Sequence, residues 1–313
     1  MANAFDKVSL GVFPTPIQRL DNISRLLHTN VFVKRDDMTG LALGGNKVRK
    51  LEYLLADAKN KGAKVVFTTG GAQSNHAMLT AAAAKKLGMT PILILKKRGV
   101  TERAGNQLLN HLMGVDVRFM DTNDYADIYA EMDRVGQELG VPYYKIPCGG
   151  SNALGTLGYV DCVKEIAQQG MEFDHIVVAE GSGGTMAGVS LGAKLYMPGA
   201  RVTGMMVDSD PFEQITLSLM REAAALLGKD MEITSADFAL RDMVGPGYAI
   251  PSEEGDAAVS LMAGNEGLIL DPVYTGKAFA GLVAMAREGA FKADDRVLFL
   301  HSGGAGGLFA ISK

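Results

Sequence analysis

Short apolar, β-branched runs alternate along this 313-residue chain with longer segments whose apolar residues recur every three or four positions. The runs at 31–34, 65–69, 92–95, 117–120, 143–146, 176–179, 202–207 and 297–301 read as strands. The segments at 47–61, 75–87, 102–113, 123–139, 154–169, 185–196 and 275–288 read as helices, with two or three more between 210 and 267. Residues 1–30 read as an extended lead-in with one short helix, because Pro16 keeps Thr15 out of the helical region. Apolar strands separated by amphipathic helices are βαβ units, so the predicted fold class is α/β with mostly parallel sheet. No internal repeat, low-complexity tract or linker interrupts the alternation.

Composition narrows the picture. The length suggests two domains, and a chain of this size builds its core without disulfides or metals. A net charge of -4 argues against a nucleic-acid or anionic-membrane partner. No run approaches the roughly 20 apolar residues of a membrane span, and residues 1–14 lack a leader's basic-then-apolar pattern. Cys148 and Cys162 form neither a disulfide framework nor a metal pair. A reducing, cytoplasmic setting is expected. No metal site is expected, since no histidine or cysteine cluster has ligand spacing, and no hydrolase elbow is present. His28, His111 and His175 stand alone and read as structural.

In parallel sheets ligands bind at the carboxyl ends of strands, so the strand-to-helix loops carry the candidate chemistry. The Gly44-Gly45 turn leads to Asn46, a plausible N-cap, and to Lys47 in a first helical turn. Leu51, Leu54 and Leu55 make that helix's apolar face. The helix dipole opposes a cation there, which lowers the amine's pKa and suits a nucleophilic lysine; the plain alternative is a solvated lysine. The loop 69–76 sets Gln73, Ser74, Asn75 and His76 at a helix start, where Ser74 or Asn75 also serves as cap. In the loop 180–185, Gly181, Ser182, Gly183, Gly184 and Thr185 combine converging N–H groups with hydroxyls, a good phosphate cup. Loosely, Gly181 to Gly188 with Asp208 also fits a dinucleotide fingerprint, spaced one residue off, which leaves an NAD-dependent oxidoreductase as an alternative. Three further loops present Tyr248, Tyr274 with Thr275, and Ser302. A reactive lysine, an asparagine-bearing loop and a phosphate cup together are the parts that hold pyridoxal 5'-phosphate.

These motifs, in order, are similar to one family. Lys34–Asp37, Gly44–Glu52, Gln73–His76, Gly181–Thr185, Gly245–Tyr248, Asp271–Lys277 and His301–Ala305 resemble the D-cysteine desulfhydrase and 1-aminocyclopropane-1-carboxylate (ACC) deaminase family. That family belongs to the fold type II, tryptophan-synthase-β-like pyridoxal-phosphate enzymes. The resemblance implies two three-layer α/β/α lobes, a smaller one at 49–159 inserted into a larger one at 1–48 and 160–313, and a homodimer. It implies that Lys47 is the Schiff-base lysine and that Asn75 bonds the ring hydroxyl. Gly181–Thr185 would hold the phosphate, Thr275 would sit at the ring nitrogen and Ser302 beside the cofactor. Ser74, Asn75, His76, Tyr248 and Tyr274 would face a small amino-acid substrate, Ser74 and Tyr274 in catalytic roles. ACC deaminases carry Glu after the tyrosine and Leu after the histidine; this chain has Thr275 and Ser302. Both departures favour β-elimination on D-cysteine, giving hydrogen sulfide, ammonia and pyruvate. L-cysteate sulfo-lyase and ACC deaminase remain alternatives on the same scaffold.

Overall fold

The computed structural model describes residues 5–310, and the expectation about residues 1–14 falls partly outside that range. The strands are β1 (Ile17–Arg19), β2 (Asn30–Lys34), β3 (Val65–Thr68), β4 (Thr90–Lys96), β5 (Asp116–Met120), β6 (Tyr143–Lys145), β7 (His175–Glu180), β8 (Arg201–Met206), β9 (Ala239–Asp242) and β10 (Arg296–Leu300). Helices before the middle of the chain are α1 (Asp21–Leu27), α2 (Lys47–Asn60), α3 (Asn75–Lys86), α4 (Gly105–Leu112) and α5 (Tyr125–Leu139). Then come α6 (Ala153–Gln168), α7 (Gly184–Tyr196), α8 (Phe212–Leu226), α9 (Glu253–Glu266), α10 (Thr275–Arg287) and α11 (Ala305–Leu308). The strands form two sheets, β1-β2-β10-β7-β8-β9 and β5-β4-β3-β6. Every pairing is parallel except β1 with β2. Strand β9 falls in the span read as helical; it adds a short edge to β8.

Alternating faces explain the two apolar layers of the larger sheet. Val297 and Phe299 of β10, with Val177 of β7, pack under α9 and α10. Leu298 and Leu300, with Ile176 and Val178, pack under α6 and α7. Such double burial is why these strands read as continuous apolar runs.

Helix α2 is the hub. Leu51, Leu54 and Leu55 are wholly buried in one core cluster, and Tyr53 joins another with α6, α7 and α8. The polar face is buried too. Arg49 pairs with Asp36 at 2.8 Å and Glu165 at 2.9 Å, and Glu52 accepts the Leu10 N–H. Gly158 lets α6 rest against the α2 backbone, since a Cβ there would lie 2.5 Å from the Arg49 carbonyl. So tight a stack fixes where the first turn of α2, and Lys47, point.

Candidate active site

Loops from the carboxyl ends of both sheets face one cavity of about 240 Å³. Lys47, Ser74, Asn75, His76, Gly181, Ser182, Gly183, Thr185, Tyr248, Tyr274 and Ser302 line it. Gly184 and Thr275 lie behind its wall, and His28, His111 and His175 lie away from it.

Lys47 opens α2 as the spacing predicts, but Asn46 does not cap it. Asn46 has helical dihedrals, and its amide instead donates to the Thr185 hydroxyl at 3.0 Å, tying the lysine turn to the glycine-rich loop. Burial pushes the Lys47 amine down to about 8, against the pull of Cys148 and Glu180. Desolvation is the leading cause, and it leaves a sizeable neutral fraction near physiological pH.

The loop after β7 is a cup. Gly183 has φ 85°, a left-handed conformation that suits glycine, and a Cβ there would collide with Ile215. Within the cup the Ser182 and Gly183 N–H groups donate to Glu180 Oε1 at 2.9 and 2.5 Å. Gly184 N–H donates to the Ser151 hydroxyl at 3.2 Å. Lys50, one turn after Lys47, is fully buried at its rim. Its Nζ donates to the Gly149 carbonyl at 3.1 Å and the Ser151 hydroxyl at 3.2 Å. Burial, then the charge of Lys47, lowers its pKa strongly. A buried amine bonded to a carbonyl and a hydroxyl, beside converging N–H groups, suits a phosphate dianion.

Further walls carry neutral groups, beside the ionisable Lys96, Arg98, Asp208 and Asp210. Ser74 is the N-cap of α3, accepting the Ala77 N–H at 3.1 Å. His76 bonds the Thr68 hydroxyl at 2.8 Å through one ring nitrogen. Burial, then Lys47 and Lys50, depress its pKa far enough to keep it neutral. The phenol oxygens of Tyr248 and Tyr274 are 2.5 Å apart. Burial raises both, Tyr248 to about 12, so each keeps its proton at neutral pH. Lys277 holds the Tyr248 loop by donating to the Val244 and Gly247 carbonyls at 2.6 and 2.9 Å.

Thr275 differs from expectation. Its hydroxyl donates to Asp271 Oδ1 at 2.7 Å and accepts the Asp271 N–H at 2.8 Å. Its proton is thus committed away from the cavity. Asp271, not Thr275, caps α10, accepting the N–H groups of Val273, Tyr274 and Thr275, each within 2.9 Å.

A family model described as pyridoxal-phosphate dependent enzyme matches residues 8–303. The chain belongs to that family. It is 46% identical over 313 residues to a Pyrococcus horikoshii protein described as "Putative 1-aminocyclopropane-1-carboxylate deaminase", spanning 97% of this chain and 94% of the relative. It is 42% identical over 317 residues to a Klebsiella pneumoniae "D-cysteine desulfhydrase", spanning 98% and 96%. A crystal structure of an ACC deaminase homologue superposes with a TM-score of 0.91 at 45% identity, over 98% of this chain and 94% of the other. The protein is thus a pyridoxal-phosphate-dependent lyase of fold type II, acting on a small substrate. The dinucleotide alternative falls. Gly188 is a packing glycine of α7 set against Thr156 and Tyr159 of α6, and Asp208 faces Arg98 at 3.4 Å. No helix among the described residues is long and apolar enough to cross a membrane.

The sequence alone assigns no role to Lys50, Glu180, Ser151 or Asn106. Lys50 was findable, because i+3 from Lys47 shares its helix face. Ser151 closes a Gly149-Gly150-Ser151 turn after β6 that has the same small-residue signature as the other loops.

Proposed function

We propose that this lyase performs β-elimination on D-cysteine, releasing hydrogen sulfide, ammonia and pyruvate. The observation that carries the reading is the set of uncharged hydroxyls in the cavity. Tyr248, Tyr274, Ser74 and Ser302 are uncharged donors, and the position that is Glu in the resembled deaminases is Thr275. In this reading Lys47 anchors the cofactor, and Lys50 with Gly181–Thr185 holds its phosphate. Asn75 donates to the ring oxygen, and Ser74 to the substrate carboxylate. Bound pyridoxal phosphate supplies an electron sink for negative charge at the substrate Cα. Lys47, released by the incoming amine, takes the Cα proton at Nζ, which its lowered pKa permits. One phenol proton is used between Tyr248 and Tyr274; the other is free to meet the sulfur as it leaves.

The same reading makes 49–159 the smaller lobe, with the four-stranded sheet inside it. It also makes the protein a cytoplasmic homodimer. L-cysteate and ACC are the competing substrates. Assaying pyruvate or 2-oxobutyrate from D-cysteine, L-cysteine, L-cysteate, D-serine, β-chloro-D-alanine and ACC decides among them. D-cysteine is expected to lead; turnover of L-cysteate with none of D-cysteine would make the sulfo-lyase reading correct.

A further inference from the structure

Among the described residues, Glu180 is the carboxylate whose own oxygen occupies the cup. Its Oε1 accepts both the Ser182 and Gly183 N–H groups, at 2.9 and 2.5 Å. The side chain is 1% exposed yet borders the cavity, and Oε2 is buried with no hydrogen-bond partner. A buried, half-satisfied carboxylate is costly and has to be explained. The N–H groups it occupies are those a phosphate would use.

We propose that Glu180 is the resident anion of the cup, and that this chain takes up its phosphorylated cofactor together with a proton, captured at the Glu180 carboxyl. The proposal rests on the cup being the phosphate site. Two anions crowded on the same N–H groups repel. A protonated Glu180 surrenders Oε1's charge and turns Oε2 from an orphaned acceptor into an O–H donor toward a phosphate oxygen. The proton comes from solvent and goes to Oε2; no covalent bond other than O–H forms.

Its surroundings allow the exchange. Burial raises the Glu180 pKa, opposed by hydrogen bonds from Gly183 and Ser182 and by the charges of Lys50 and Lys47 on α2. From the loop after β6 come the Ser151 hydroxyl, 3.0 Å from the Ser182 hydroxyl, and Cys148, whose thiol burial keeps protonated. His76 on α3 is held neutral, and Tyr274 keeps its proton. When protonated, Lys50 and Lys47 are the charges that reach Glu180, and with Glu180 still ionised one of them would be spent on it rather than on a phosphate.

Calorimetry on the full-length apoprotein tests this with pyridoxine 5'-phosphate, which lacks the aldehyde and cannot bond Lys47. Titrations at pH 7 to 8 in buffers of different ionisation enthalpy count protons taken up. Lys50 can also gain a proton, so the readout is the difference between wild type and Glu180→Gln. Wild type is expected to take up about one proton more, and its affinity to fall about tenfold per pH unit more steeply. Glu180→Ala repeats the comparison if the Gln variant folds poorly. Equal proton counts with sound binding would overturn the Glu180 proposal alone. Binding to neither protein would overturn the reading of the cup as well.

Discussion

The Asn106 side-chain amide donates to Asn75 Oδ1 at 2.7 Å and to the Gln73 carbonyl at 2.8 Å. A carbonyl only accepts, so the Asn106 atom is its nitrogen, and the Asn75 atom it meets is oxygen. Asn75 therefore keeps its NH₂ for the cavity, as a donor to a ring oxygen requires. Replacing Asn106 by Ala frees the Asn75 amide to rotate. The expected loss is about 1 kcal/mol, or roughly fivefold in cofactor Kd, with the fold intact by circular dichroism. Unchanged Kd would mean that Asn75 is oriented by other contacts.

The Lys47 amine gives a pH dependence. Its pKa is lowered to about 8, so its neutral, nucleophilic fraction grows as pH rises through that value and levels off above it. The rate at which apoprotein develops the visible absorbance of bound pyridoxal phosphate is expected to follow this curve. A flat rate between pH 7 and 9 would contradict a Lys47 titrating there.

Much of this was legible in the chain. The strand and helix alternation is local chemistry, and Lys47, Ser74, Asn75, Gly183 and Tyr274 stand beside glycines, caps or prolines at helix starts. What the sequence hides is long-range partnership. Asn46 satisfies the rules of an N-cap, yet its amide is drawn 139 positions away to Thr185. Thr275 looks like a helix cap or a ring-nitrogen donor, but Asp271, buried in the same turn, claims its proton. Glu180 ends a strand whose sequence says nothing of its side chain accepting the N–H groups of Ser182 and Gly183, two and three residues on.

The cup depends on one backbone conformation. Gly183→Val puts a branched side chain at φ 85° and against Ile215. Strain of about 1–3 kcal/mol is expected, weakening cofactor affinity roughly tenfold or more. Equilibrium dialysis against pyridoxal phosphate measures it, and wild-type affinity would place the phosphate elsewhere.

Stability should hinge on the ion pair beneath α2. Burial alone would raise the Asp36 carboxyl, but Arg49's charge and the hydrogen bonds of Arg49, Tyr159 and Thr15 outweigh it and hold its pKa down. A depressed carboxyl stabilises the fold above its unfolded pKa of about 4, and that contribution fades as pH falls toward the folded value. Arg49→Leu strands the buried carboxylate at a cost of about 3–5 kcal/mol near neutral pH. Urea unfolding measures the loss; a change below about 1 kcal/mol would show the pair contributes little.

Among the described residues three lysines, Lys47, Lys50 and Lys96, lie in or against the cavity, and the account stands on which of them bonds the cofactor. Borohydride reduction of the purified holoprotein, followed by peptide mass mapping, answers this directly. The cofactor is expected on Lys47, with loss of the visible band and of turnover. A label on Lys50, on Lys96 or on a lysine remote from the cavity would contradict the assignment of this site.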